Sequence, residues 1–265
     1  MKIKDLNIAL LQSDIFWEDI PKNIDHFTRL IDEIREPIDL IVLPEMFTTG
    51  FTTNIHKCAE SMRGLGMQFL MKIALEKECM VIGTLLIRRN QRFYNRLICM
   101  FPDGNFQEYD KHHLFRLSEE YKVMNAGVKK IIVQNGEWNL LPLVCYDLRF
   151  PVWSKNTFMD GKYEYDVLVY SSNWPASRVY VWRSLLIARA IENQAYVIGV
   201  NRVGADGFGT RHSGGSIVVD PKGIVLAEAG DQEEILHSTL SMEELTLFRE
   251  SFKIGIDWDQ FTIET

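Results

Sequence analysis

Three polar residues stand where apolar runs end, and together they could carry out acyl transfer. Glu45 follows Leu40-Ile41-Val42-Leu43-Pro44, Lys111 follows the run from Phe106 to Asp110, and Cys145 follows Leu140 to Val144, broken only by Pro142. A thiol is the most readily ionised of the common nucleophilic groups, and a neighbouring cation favours its thiolate. Lys111 could be that cation. It could equally stabilise the oxyanion formed when sulfur attacks a carbonyl or nitrile carbon, with the backbone N–H of Tyr146 as a second donor. Glu45, once partly desolvated, could accept the thiol proton and later pass it to a leaving amine. Each residue alone also has an ordinary explanation. A cysteine at a strand end is usually a small buried hydrophobe, a Glu after Pro a solvated loop residue, and a Lys beside Asp110 half of an exposed pair.

The elements that must position these groups alternate along the chain. Leu6 to Leu11 reads as a strand, Asp19 as the cap of a helix carrying Ile24, Phe27, Leu30, Ile31 and Ile34 at helical spacing, and Asp39 to Leu43 as a second, parallel strand. Residues 66 to 78 read as a helix. Val81 to Ile87 and Phe93 to Phe101 flank a polar turn as a hairpin, and Pro102-Asp103-Gly104-Asn105 turns the chain into a third antiparallel strand, Phe106 to Tyr109. Segments 131 to 134 and 138 to 145 pair around Asn135-Gly136. Val167 to Ser171, Tyr180 to Asn193 and Ala195 to Val200 repeat the strand, helix, strand opening. A glycine-containing loop then leads to strands at Ser216 to Asp220 and Val225 to Ala229, and Ser241 with Glu244 forms a capping box for a last helix. No linker or low-complexity tract interrupts the chain, so residues 1–265 are expected to form one domain. Its two similar halves suggest two facing sheets.

Composition narrows the partners. The chain has 265 residues, 29 Lys+Arg against 36 Asp+Glu and a net charge of -7, so a surface tracking nucleic-acid phosphates would work against the protein's own field. The N-terminal run is interrupted by Asp14 and lacks a small-residue cleavage site. No stretch reaches the roughly 18 apolar residues of a membrane span. A soluble, cytoplasmic protein without nucleic-acid or membrane partners is expected. Cys58, Cys79, Cys99 and Cys145 are too few and too scattered for a disulfide framework, which fits a reducing compartment. The six histidines show no paired-ligand spacing, so no metal site is expected, and the glycines form neither a dinucleotide fingerprint nor a phosphate loop and are better explained by backbone turns.

Four segments change the weight given to the three polar residues. LPEMF at 43 to 47, YDKHHLF at 109 to 115, LVCYDLRFP at 143 to 151 and SSNWP at 171 to 175 resemble, in order, the signature blocks of the nitrilase-like carbon-nitrogen hydrolase family. The resemblance runs on through RAIENQAYVIGVNRVG at 189 to 204 and SGGSIVVDPKG at 213 to 223, and the wording is most similar to the omega-amidase branch. It implies an α/β fold of the four-layer αββα sandwich type with two facing mixed sheets, and cofactor-free thioester chemistry. Glu45, Lys111 and Cys145 would be its catalytic Glu, Lys and Cys. A second glutamate would hold the lysine and the substrate amide. Glu119 and Glu120 compete for that role, and the resemblance favours Glu120, which stands seven residues before Gly127 as the corresponding family residue stands before its own loop glycine. The implied substrates are monoamides of 2-oxo dicarboxylic acids, such as 2-oxoglutaramate and 2-oxosuccinamate. The same machinery would also suit another aliphatic amidase, an N-carbamoyl hydrolase or a nitrilase, and a silent binding protein could keep the same fold. A homo-oligomer is expected by resemblance.

A dicarboxylate-like substrate needs a cation for its free carboxylate. Arg116, Arg149 and Arg178 are candidates by proximity to the motifs. Phe47 and Phe115 could shape a small pocket, and the resemblance places Asn173 and Trp174 near it. His112 and His113, read as successive strand residues, would face opposite ways, so at most one could reach the pocket, and a structural hydrogen bond is favoured for it.

Overall fold

A computed structural model describes residues 4–264. Its main elements are, in chain order, β1 (Leu6–Gln12), α1 (Ile20–Asp32), β2 (Leu40–Val42), α2 (Leu65–Lys77), β3 (Met80–Arg89), β4 (Arg92–Met100), β5 (Phe106–Asp110), β6 (Val133–Asn135), β7 (Trp138–Val144), β8 (Val167–Ser171), α3 (Val179–Asn193), β9 (Tyr196–Val200), β10 (Ile217–Val219), β11 (Val225–Glu228), β12 (Glu234–Leu240) and α4 (Met242–Ser251). Two six-stranded sheets form, in the orders β12-β1-β2-β3-β4-β5 and β11-β10-β9-β8-β7-β6. Each contains three parallel strands, β1-β2-β3 in one and β7-β8-β9 in the other, flanked by antiparallel neighbours. The sheets are therefore mixed, as expected.

Alternation along β1 shows how the layers are built. Leu6, Ile8 and Leu10 join a core cluster shared with β7, β8 and β9, whereas Ala9 and Leu11 join a second cluster with Phe27 and Ile31 of α1 and Phe69, Leu70 and Ile73 of α2. Successive strand residues point to opposite faces, so one face meets the other sheet and the other meets helices. Each Leu or Ile buried in this way stabilises the fold by about 1.5–3 kcal/mol. On the second sheet α3 brings Trp182, Leu186 and Ala190 into the core. It lies so close to β9 that a Cβ at Gly199 would stand 2.5 Å from Leu186 Cδ1. The resulting order is helix, sheet, sheet, helix.

Local chemistry explains the boundaries. The Asp19 side chain accepts the Lys22 N–H at 3.2 Å and Pro21 stands in the first turn, so α1 starts where expected. The β3–β4 hairpin is longer than its apolar pattern suggests. Asn90 and Gln91 both adopt positive φ, the geometry of a two-residue turn that matches strand twist. β12 has no counterpart in the sequence reading, because EILHSTL mixes polar and apolar residues without a clean period. It leaves the second sheet after β11 and pairs over seven residues with β1, which ties the two sheets together at one edge. Among the described residues no helix is long and apolar enough to cross a membrane.

Candidate active site

The carboxyl ends of β2, β5, β7 and β8 converge on one cavity of about 390 Å³. This is where parallel strands in α/β proteins leave a crevice, because their connections depart from that edge. Glu45 lies just past β2, Lys111 just past β5, Cys145 just past β7, and Ser172, Asn173 and Trp174 just past β8.

Glu45 and Lys111 are 0% and 1% exposed, and Lys111 Nζ donates to Glu45 Oε1 at 2.8 Å. Glu120, also 0% exposed, receives two bonds of 3.1 Å from the same ammonium. Glu119, by contrast, is exposed and pairs with Lys122. Asn95 of β4 bridges the two buried carboxylates, donating to Glu45 Oε1 at 2.8 Å and to Glu120 Oε1 at 3.1 Å. The second Glu45 oxygen accepts the Asn173 N–H at 2.9 Å, and the Asn173 side chain donates to the Glu45 carbonyl. Glu120 also accepts the Phe115 N–H at 2.6 Å. Burial alone would lower the Lys111 pKa, but the Glu120 and Glu45 carboxylates outweigh it and the net shift is upward. Lys111 therefore stays an ammonium. Glu120 is pushed up by burial and by Glu45, against the pull of Lys111.

Two turns at the cavity hold backbone conformations that only the surroundings can enforce. Cys145 has φ +42 and Met46, next to Glu45, has φ +46. Left-handed non-glycine residues cost of order 1–3 kcal/mol, so both turns must be pinned. At Met46 the pin is Thr84 of β3, whose hydroxyl oxygen accepts the Met46 N–H at 2.6 Å. At Cys145 it is buried Asp147, which accepts the Val144 N–H at 3.0 Å, the Tyr109 hydroxyl at 2.8 Å and both His113 N–H groups, backbone and Nδ1. His112 and His113 lie beyond the end of β5 and not on a strand, so the reason given for their orientation fails. Neither lines the cavity. His112 Nδ1 bonds the Gly127 carbonyl at 2.6 Å, and the rings stack on Trp153 and Phe150.

The thiol of Cys145 differs from the other three in access, not acidity. Cys58, Cys79 and Cys99 are buried, whereas Cys145 is partly exposed and lines the cavity. Burial, and then the Glu45 carboxylate, raise its pKa, and Lys111 offsets only part of this. With two carboxylates around one ammonium, Lys111 has little charge to spare for a thiolate, so the Cys145 thiol is held in its protonated form. The Ser172 hydroxyl donates to Cys145 Sγ at 3.0 Å, a contact absent from the sequence reading. A hydrogen bond to sulfur favours the thiolate. Ser172→Ala is expected to slow iodoacetamide alkylation of Cys145 at fixed pH by roughly three- to tenfold, with the rate profile moved to higher pH. An unchanged profile would show the contact to be inert.

Among the other sequence candidates, Phe115, Tyr146, Arg149, Asn173, Trp174 and Arg178 line the cavity. Phe47 does not: it is fully buried in the outer core against Phe27 and Phe69, and Phe51, four residues on, forms the wall instead. Arg116 points away, exposed, with its guanidinium over Tyr121. Arg149 and Arg178 have no carboxylate partner among the described residues. Their guanidiniums lie 4.9 Å from the Trp174 ring and 5.6 Å from the Phe115 ring. A further wall comes from the hairpin Val203–Ala205 and Arg211–Ser213 and its tip, which contribute Asp206, Phe208, Thr210 and His212. Only Gly204, Gly207 and Gly209 signalled a turn there, and nothing in their spacing pointed to a pocket.

Comparison with known proteins agrees with this geometry. The carbon-nitrogen hydrolase family model matches residues 7–250. The chain belongs to that family. It is 40% identical over 259 residues, 97% of this chain and 98% of the other, to the omega-amidase YafV of Escherichia coli K12. It is 33% identical to the 2-oxoglutaramate amidase of Bacillus subtilis, covering 94% of this chain and 96% of that one. A crystal structure of a CN-hydrolase superfamily protein from Xanthomonas campestris, with an arsenic adduct in its active site, superposes with a TM-score of 0.97 at 37% identity, over 99% of this chain and all of that one. The four-layer sandwich expected of the family is thus the fold of this chain.

Proposed function

We propose that this protein is an omega-amidase, releasing ammonia from the terminal amide of 2-oxo dicarboxylic acid monoamides such as 2-oxoglutaramate and 2-oxosuccinamate through a thioester on Cys145. The observation that carries the reading is the buried Glu45–Lys111–Glu120 cluster, whose Glu45 and Lys111 line a cavity that also holds a partly exposed thiol and two arginines without a carboxylate partner among the described residues. The likeness to an omega-amidase and a 2-oxoglutaramate amidase over nearly the whole chain supports the same substrate class.

Glu45 takes the proton of Cys145 as sulfur attacks the amide carbon, and because the resting thiol is protonated the two events are coupled. The oxyanion is met by Lys111 Nζ and by the N–H of Tyr146. Tyr146 is the second residue of the helical turn Cys145–Arg149, where backbone N–H groups have no acceptor within the turn. Glu45 returns the proton to nitrogen, the carbon-nitrogen bond breaks and ammonia leaves. Water, deprotonated by Glu45, then attacks the thioester, and the sulfur recovers its proton as the acid departs. Glu120 fixes Lys111 in place throughout.

Arg149 and Arg178 supply the positive charge that an acidic protein needs for an acidic substrate. The double variant Arg149→Met/Arg178→Met is expected to raise KM for 2-oxoglutaramate by about 10- to 100-fold, the worth of one charged hydrogen bond. Values for an uncharged aliphatic amide should stay within a few fold. Equal losses on both would show that the arginines only support the fold. Four thiols without a disulfide among the described residues support a cytoplasmic setting. The family resemblance supports self-association, which light scattering would measure. The proposal as a whole is tested by ammonia release across a panel of 2-oxo monoamides, simple aliphatic amides, nitriles and N-carbamoyl amino acids. The highest kcat/KM should fall on a 2-oxo monoamide, and a higher value on a nitrile or carbamoyl compound would replace this reading.

A further inference from the structure

His212 lies on the cavity wall, on the second strand of the Val203–Ala205 and Arg211–Ser213 hairpin. It is 7% exposed, and its Nδ1 is a buried polar atom with no hydrogen-bond partner among the described residues. Burying a polar atom without a partner is costly, and an apolar side chain would fill the same space without that cost. Folding alone therefore does not explain a histidine here.

The charges around the ring fix its state. Arg202 is fully buried beside it and tied to Asp14 at 2.6 Å, Asp206 lies on the same hairpin, and Glu45 faces it from the floor. Burial first, and the Arg202 guanidinium second, push the imidazole down to about 4, against smaller opposing pulls from Asp206, the Thr210 backbone and Glu45. At neutral pH the ring is uncharged and offers one N–H donor and one acceptor. A neutral ring does not compete with Arg149 and Arg178 for a carboxylate, but it can donate to an uncharged carbonyl.

A 2-oxo dicarboxylic monoamide has three polar groups. Its amide has Cys145, Glu45 and Lys111, and its carboxylate has the arginines. Its 2-oxo oxygen, an acceptor, still lacks a donor. We infer that His212 donates a hydrogen bond to the substrate's 2-oxo oxygen and so selects 2-oxo acid amides over the same chains without the oxo group. The inference deepens the omega-amidase reading and rests on it.

The test compares kcat/KM for 2-oxoglutaramate and for glutaric acid monoamide, which lacks only the oxo oxygen, in wild type, His212→Phe and His212→Gln. Wild type should prefer the oxo compound by about 10- to 100-fold, since a site built to pair a polar group rejects the analogue without it. His212→Phe should lose that preference by slowing on the oxo compound alone. His212→Gln, which keeps an N–H donor of similar reach, should recover most of it, and reads the same question if the Phe variant does not fold. Equal losses of His212→Phe on both substrates, or none on either, would overturn the inference. A wild type that takes both monoamides equally removes the inference but not the omega-amidase reading. One that takes neither removes both.

Discussion

Cys145→Ala is expected to retain less than about one ten-thousandth of wild-type kcat/KM on 2-oxoglutaramate, because removing the nucleophile leaves only binding and oxyanion contacts. No other thiol can take over, since Cys58, Cys79 and Cys99 are buried. The fold should survive. The left-handed turn at Cys145 is held from Asp147 and Tyr109, not from the sulfur, and the side-chain hydrogen bond from Ser172 is lost with the thiol. An unfolding temperature within a few degrees of wild type, measured beside the activity, separates lost chemistry from lost structure. A variant that kept a tenth of the rate would show that Cys145 is not the nucleophile.

Lys111→Met is expected to be worse for the protein, though it removes no reacting atom. The ammonium is fully buried and holds two buried carboxylates, so its removal leaves Glu45 and Glu120 facing each other without a counter-charge, bridged by Asn95. Breaking a buried pair in this way typically costs about 3–5 kcal/mol. It also deletes an oxyanion donor, worth roughly 10²–10³ in kcat. Denaturant unfolding should show the midpoint falling at unchanged slope, and activity in whatever folds should be at least about a hundredfold down. Adding Glu120→Gln to Lys111→Met should recover part of the stability and none of the rate, because one uncompensated charge is gone while the donor is still missing. A Lys111→Met protein as stable as wild type would mean that the carboxylates are not held as charged groups by this lysine.

Much of this site could be read from side-chain chemistry at strand ends. Glu45, Lys111 and Cys145 each follow a strand, apolar before Glu45 and Cys145 and largely polar before Lys111, and the carboxyl ends of those strands meet at one crevice. Glu120 over Glu119 was legible only through the family resemblance, by its spacing to Gly127. The structure gives that glycine a reason: a Cβ there would stand 2.0 Å from the Asp110 carbonyl, so the chain closes tightly against the lysine turn. What stayed hidden depends on contacts between distant segments. Asp147 lies inside a quoted motif, yet its work on Tyr109, His113 and Val144 is invisible until β5 and β7 are brought together. Phe47 and Phe51 are equally apolar and close in sequence, and only the left-handed turn at Met46 decides that the first enters the core and the second the wall. β12 and the 203–213 hairpin lack a clean hydrophobic period, so their partners, not their own residues, define them.

The central claim is that Cys145 forms a thioester with the substrate's acyl group. Hydroxylamine intercepts thioesters, releasing the hydroxamate in place of the acid. With glutaric acid monoamide, which lacks the ketone that hydroxylamine would capture as an oxime, and rising hydroxylamine, wild type is predicted to divert product increasingly to the hydroxamate while still releasing ammonia, and Cys145→Ala to yield neither above background. Ammonia release by wild type with no hydroxamate at any hydroxylamine concentration, or equal hydroxamate from Cys145→Ala, would contradict the account.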